Sequence, residues 1–275
     1  MRIFLIVSLC LSFSSHAWAW GEEGHSIVAE IAQHRLSTAA AAGVDEILGK
    51  GWSLSSVASW ADDERARDGT TARWHFVEIP ASDKSFSVER DCELIQGKGD
   101  CIIAAIERER LVVGCANRPI SERSRALRFL VHLVGDVHQP LHTVKEFGGG
   151  NGVAVTIVTK EGVNGNLPFN GNLHSAWDAT MIQKTTWSWG AYVDRLESGW
   201  LKTPEAAASA SADVIAWAEE THVEAQQLLA SVPANIVLDD QYRKSRLGML
   251  DRQLGRGGIR LAALLNEAFQ VRGCP

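Results

Sequence analysis

The stretch Phe129-Leu130-Val131-His132-Leu133-Val134-Gly135-Asp136-Val137 sets the problem this chain has to solve. Its apolar residues predict a helix buried on most faces, yet it carries a histidine and an aspartate four residues apart, which leave the same face one turn apart. Burying two such groups is unfavourable unless each finds a partner. They can satisfy one another as a buried His–Asp hydrogen bond, or share one divalent cation. The spacing recurs at His174 and Asp178. His142, beyond the break at Pro140, joins these pairs, as do Asp62 in Ser59-Trp60-Ala61-Asp62 and His75 in Trp74-His75-Phe76, and together they exceed what one ion needs. Imidazole and carboxylate without thiolate suit zinc.

The start of the chain frames where such a site would work. Arg2 precedes the apolar run Ile3 to Phe13, and Ser14-Ser15-His16-Ala17-Trp18-Ala19 follows with small residues where a signal peptidase reads. The pattern predicts a secretory leader over residues 1–19, cleaved after Ala19, and a protein that is periplasmic or secreted. No apolar run reaches the roughly 18 residues needed to span a bilayer, so stable membrane association after cleavage is not expected. A free α-amine at Trp20, of pKa about 8, deprotonates readily beside a dication and with its own carbonyl can close a chelate, with His25 in reach. The opposing reading is a ragged terminus and a structural His25.

Cys10 leaves with the leader, and the remaining four, Cys92, Cys101, Cys115 and Cys274, suit two disulfides in an exported chain. Of three possible connectivities, Cys92 with Cys101 closes the short loop around Gly97-Lys98-Gly99 and leaves Cys115 to tie down Cys274. The whole chain has 27 basic and 33 acidic side chains. Without Arg2 the balance is 26 minus 33, or −7, which argues against a duplex-binding basic face.

Helical patterns run over 24–36, 54–65, 102–113, 122–138, 173–183, 204–230 and 241–269. Trp74 to Ile79 and Val153 to Val158 suit short extended segments, and 148–152 and 164–172 read as irregular loop. The expectation is an all-α multi-helix bundle, one domain over residues 20–275, with at most short β segments.

Taken in order, the motifs resemble those of the S1/P1 nuclease family, the zinc-dependent secreted nucleases. They are Trp20-Gly21-x-x-Gly24-His25; Ser59-Trp60-Ala61-Asp62-x-x-Arg65; Trp74-His75-Phe76; His132-x-x-Gly135-Asp136-x-His138-Gln139-Pro140-Leu141-His142; Gly149-Gly150-Asn151; and Asn172-Leu173-His174-Ser175-x-Trp177-Asp178. The resemblance spans 20–178; beyond that the chain matches only as helix.

It implies the phospholipase C/P1 nuclease type of helical bundle and three zinc ions per chain. One would be held by Asp62, His75, His132 and Asp136, the second by the Trp20 amine and carbonyl, His25 and the shared Asp136, and the third by His142, His174 and Asp178. It implies hydrolysis of single-stranded DNA and RNA to 5′-mononucleotides by metal-activated hydroxide, with 3′-nucleotidase activity. A monomer is expected. Asp136 and Arg65 would be catalytic, Arg65 by contacting phosphate. Phe76 would stack a base, with Asn151 and Glu78 making polar contacts to it. His138 is expected to orient a ligand rather than bind metal, and His34 and His222 to be surface or helix residues. The ten tryptophans are expected mostly in core or loop packing. Zinc-dependent phospholipase C is the nearest alternative, but there the first histidine lies further from the terminal tryptophan and the last helical ligand is Glu, where this chain has Asp178. Non-catalytic readings are an exported zinc-binding protein and a zinc-stabilised structural protein. No Asn-x-Ser/Thr sequon occurs.

Overall fold

The computed structural model describes residues 20–163, 165, 167–271 and 274. The expected leader lies outside them. Helix α1 (Glu22–Gln33) starts with Glu22 and Glu23 in its first turn, where acidic groups favour the positive helix end. It buries Gly24, His25, Ile27, Val28, Ile31 and Ala32 along one side. The amide of Gly21 donates to Asp178 O at 2.8 Å, which ties the start of the chain to the segment 173–183.

Then follow α2 (Thr38–Leu48), α3 (Trp60–Arg67), α4 (Ile102–Gly114) and α5 (Ile120–Asp136). Ser37 caps α2 by accepting from Ala40 N. Helix α5 begins at Pro119 and is buried from Phe129 to Asp136 without interruption, as its apolar sequence requires. The chain closes with α6 (Trp189–Ser198), α7 (Val214–Ala230) and α8 (Asp240–Val271), of which α8 packs along α1. Among the described residues, the strands β1 (Ala154–Ile157), β2 (Phe169–Asn172) and β3 (Val237–Leu238) form one small sheet in the order β2-β1-β3. β1 pairs antiparallel with β2 and parallel with β3. The all-α expectation holds.

Several boundaries differ from expectation for local reasons. The helix expected over 204–230 is two, because Asp213 caps α7 through Ala216 N and the chain breaks after Pro204–Ala208. The expected extended run from Trp74 begins inside a 3₁₀ turn, Gly69–His75, started by Asp68 accepting from Thr70 N; Ile79 then bridges Val144. The end of the supposed loop 164–172 is β2. Segment 173–183 is helical, with a π turn at Ala176–Thr180 between two short α pieces. Cys92 pairs with Cys101, and Cys115 with Cys274. Trp20, Trp177 and Trp217 are buried, whereas Trp52 and Trp187 are exposed. None of the described helices is long and apolar enough to cross a membrane.

Candidate metal centre

The end of α5 is the floor of the site. Gly135 is there because His25, from α1, lies across it: a Cβ at 135 would fall 2.7 Å from His25 Nδ1. The His25 ring stacks on His132 with centroids 3.8 Å apart. His75 arrives at the end of its 3₁₀ turn and Asp62 from the first turn of α3. His142 sits in the turn Pro140–Thr143 after α5, and His174 and Asp178 in 173–183.

Asp136, fully buried, is the hub. Its Oδ1 lies 3.3 Å from His25 Nε2 and 3.7 Å from His142 Nδ1, and its Oδ2 lies 3.0 Å from His75 Nδ1 and 3.2 Å from His132 Nε2. Asp62 Oδ1 is 3.6 Å from His132 Nε2. Among the described residues, three sets bring their ligand atoms within 4.8 Å of one another: His142, His174, Asp178; His75, His132, Asp136; and His25, Asp62, His132. The first is the expected third set. The others differ from expectation in one respect, since His25 groups with Asp62 and His132 while also touching Asp136. Trp20 is fully buried, its side chain against Gly24.

Two features test whether this cluster suits metal ions. Buried His25 Nδ1 and Nε2, His75 Nε2, Asp136 Oδ1 and Asp178 Oδ2 lack hydrogen-bond partners, which a folded protein rarely tolerates. More specifically, His142 Nδ1 donates to His75 O at 2.7 Å and His174 Nδ1 to Gly149 O at 2.6 Å. The other ring nitrogens, His142 Nε2 and His174 Nε2, lie 3.1 Å apart, and His174 Nε2 is 3.4 Å from Asp178 Oδ2, so three ligand atoms converge. One cation could take all three. The donor set fits.

Three of the histidines already have the charge state a metal needs. Burial holds His25 and His75 below the usual imidazole value and takes His142 down to about 3. These imidazoles are neutral near pH 7, the form that binds metal. Burial opposes charge on His132 too, but the carboxylates of Asp136 and Asp62 outweigh it and raise it to about 9. For Asp136 burial is outweighed by His132 and His142, and its pKa lies well below the usual range. Asp178 is pushed well above it by burial, despite the hydrogen bond from Gln139. A dication beside Asp178 removes the cost of ionising it.

Beside the cluster lies a cleft of about 190 Å³ lined by Arg65, Phe76, Glu78, Asn151 and the two histidines His142 and His174, among others. Arg65 follows Asp62 by three residues on α3. Asn151 Nδ2 donates to Gly148 O at 2.8 Å, so its amide helps hold the loop it belongs to. The sequence-predicted cleft residues are therefore together. His138 departs from its expected role: Nδ1 donates to Val134 O and Nε2 accepts from Arg260, so the ring anchors α5 to α8 and bonds no ligand. Gln139 does that work instead, its Nε2 donating to Asp178 Oδ1 at 2.5 Å while its Oε1 accepts from Leu141 N. An amide set between ligand-bearing positions was the signal for it. His34 is half-exposed on the surface. His222 is on a helix as expected but fully buried, its ring nitrogens facing Thr143 O and Asp83 O.

A helical scaffold carrying three His/carboxylate sets that could hold metal, beside an Arg- and Phe-lined cleft, defines the class as a metal-dependent hydrolase. The sequence model of the S1/P1 Nuclease family matches residues 20–270. The chain is similar to Nuclease P1 of Penicillium citrinum, 32% identical over 90% of this chain and 97% of that one. It is also similar to Endonuclease 2 of Arabidopsis thaliana, at 30% over 97% of each, and to Nuclease S1 of Aspergillus oryzae, at 28% over 96% and 97%. The chain belongs to the S1/P1 nuclease family. That makes it a metal-dependent nuclease, a hydrolase of phosphoester bonds whose two disulfides fit an exported protein.

Proposed function

We propose that the protein is an exported, three-zinc phosphodiesterase that cleaves single-stranded DNA and RNA to 5′-mononucleotides and removes phosphate from 3′-nucleotides. In this reading residues 1–19 are a leader cut after Ala19, and 20–275 form one monomeric catalytic domain. The observation that carries it is the convergence of buried His142, His174 and Asp178 beside the cleft, with the two Nε2 atoms 3.1 Å apart. His142, His174 and Asp178 would hold one zinc; Asp62, His75, His132 and Asp136 a second; and Trp20, His25 and Asp136 a third. The chemistry such ions supply when bound is Lewis acidity toward phosphoryl oxygen and water.

The chain's own residues then have defined tasks. Arg65 neutralises charge on the phosphate as it develops. Phe76 stacks an unpaired base, and Asn151 and Glu78 make polar contacts to its edge. Stacking accepts any base but requires an unpaired one, which supports a preference for single strands. Asp136, in contact with four histidines, holds two metal sets in register.

The test is cleavage of single-stranded DNA, RNA and 3′-nucleotides by the secreted, N-terminally sequenced protein, with metal content measured on the same sample. Three zincs per chain and chelator-sensitive release of 5′-mononucleotides are expected. Three zincs with no nucleolysis would point to a phospholipid phosphodiester instead, and fewer than two would overturn the ligand assignment. One alanine added before Trp20 removes the free amine there and is expected to lose one zinc.

A further inference from the structure

The loop between the cleft and β1 runs against the preferred hand of L-residues. Phe147, Gly148, Gly149 and Gly150 have φ of 54°, 60°, 63° and 80° in succession. They form a left-handed turn, closed by Gly150 N donating to Glu146 O at 3.2 Å and Gly152 N to Phe147 O at 2.8 Å. Three glycines adopt it freely. Phe147 is the member with a Cβ, and a bulky side chain in this region is disfavoured. The turn itself serves the cluster, since Gly149 O accepts from His174 Nδ1 at 2.6 Å and a Cβ at 149 would lie 2.5 Å from Leu141 O.

Nothing in that task needs a phenylalanine at 147, where Gly or Asn would follow the same path with less strain. The ring gains little packing, being 64% exposed. Ile236, also at φ 54°, passes its carbonyl to Thr156 N at the sheet, a sufficient backbone reason. Phe147 differs in its position: it adjoins Gly148 and Gly149, which line the cleft with Asn151. That cleft, about 190 Å³, is smaller than the roughly 300–1,000 Å³ of pockets that enclose a whole ligand. A strand held there would have its next nucleotide at the rim, beside the loop that carries Phe147.

We propose that Phe147 is a second base platform, stacking the unpaired base of the nucleotide adjacent to the one held against Phe76. This rests on the single-strand reading above. The ring is held out on a strained backbone because its partner is the substrate, and strain of this kind concentrates where binding requires it. Base stacking on an aromatic is worth enough to change affinity by about tenfold or more, without base specificity.

The experiment compares mature, zinc-replete wild type with Phe147→Asn and Phe147→Trp on a 3′-mononucleotide and on a single-stranded tetranucleotide. Phe147→Asn is expected to raise KM for the tetranucleotide about tenfold and to leave the mononucleotide, which has no neighbouring base, unaffected. Phe147→Trp should keep wild-type values. An abasic site beside the cleaved nucleotide should abolish the difference between wild type and Phe147→Asn, and Kd for a non-cleaved phosphorothioate tetranucleotide should follow KM. The melting temperature of Phe147→Asn should stay level or rise. Equal losses on both substrates would mean residue 147 only shapes the cleft wall, and no loss on either would mean the ring is idle; each overturns the inference. If wild type cleaves the mononucleotide but not the tetranucleotide, the single-strand reading fails first and this inference with it.

Discussion

Gly135→Ala separates two opposed physical effects. In an ordinary helix interior alanine is favoured over glycine by about 1 kcal/mol, so helix propensity alone makes this change stabilising. At 135 the added Cβ would lie 2.7 Å from His25 Nδ1 and 3.1 Å from Cε1, inside contact distance. The obstacle is no flexible tip. His25 is fully buried, its ring stacked 3.8 Å from His132 and its Nε2 3.3 Å from Asp136. Reaching ordinary carbon contact requires the ring or α5 to retreat by roughly 1 Å. Overpacking of this kind costs about 1–3 kcal/mol, which for a chain of this size lowers Tm by about 2–4 °C per kcal/mol. Moving a histidine of the cluster by that much is expected to reduce turnover about a hundredfold. Thermal unfolding, zinc content and nucleolysis of the purified variant check all three. A variant with unchanged or higher Tm and full activity would show that His25 does not lie over Gly135.

Asp136→Asn is expected to cost more activity and more bound zinc than loss of any other single ligand, because Asp136 contacts four histidines; parallel metal analysis of Asp136→Asn, His75→Asn and Asp178→Asn checks this. His138, pushed well below the usual imidazole value by burial and by Arg260, stays neutral when folded and takes up a proton when unfolded below about pH 6.5. The unfolded state then binds more protons, so this residue's stability contribution falls as pH drops through 6.5, by up to about 1.4 kcal/mol per unit. Urea unfolding at pH 7, 6 and 5 should show a shallower decline in His138→Gln than in wild type. The disulfides should differ in weight: removing Cys115–Cys274, which spans 159 residues, is expected to cost about 5 kcal/mol, against about 2.5 kcal/mol for Cys92–Cys101, which spans 9. Comparing the paired serine variants by denaturant midpoint tests that order.

How much of this was legible in the sequence follows from what each signal depends on. The i, i+4 pairs in apolar surroundings pointed to a buried polar cluster because helix period and burial are local properties, and α5 carries both. The Ala-rich α2 and the short α6 were missed: one has little contrast between faces, and the other begins and ends among loop-forming residues. The grouping of His25 with Asp62 and His132 was hidden, since it depends on α1 crossing α5 at Gly135 and spacing along the chain does not record a crossing. The true neighbours of His138 and His222, Arg260 and the carbonyls of Thr143 and Asp83, lie on elements remote in sequence.

What aims the histidines was invisible for a further reason. His132 Nδ1 donates to Ala58 O at 2.8 Å, His142 Nδ1 to His75 O and His174 Nδ1 to Gly149 O. All three acceptors are main-chain carbonyls, so each tautomer is set by the path of the backbone and no side-chain substitution deletes the acceptor. One of those carbonyls belongs to His75, itself a member of the cluster, so a shift of the 3₁₀ turn moves one imidazole and re-aims another in a different metal set. Another belongs to Gly149, inside the left-handed turn that carries Phe147. The metal sets, the cleft wall and the proposed second platform thus share a few stretches of backbone, and a change in any of those loops should be felt as altered metal content and altered strand binding together.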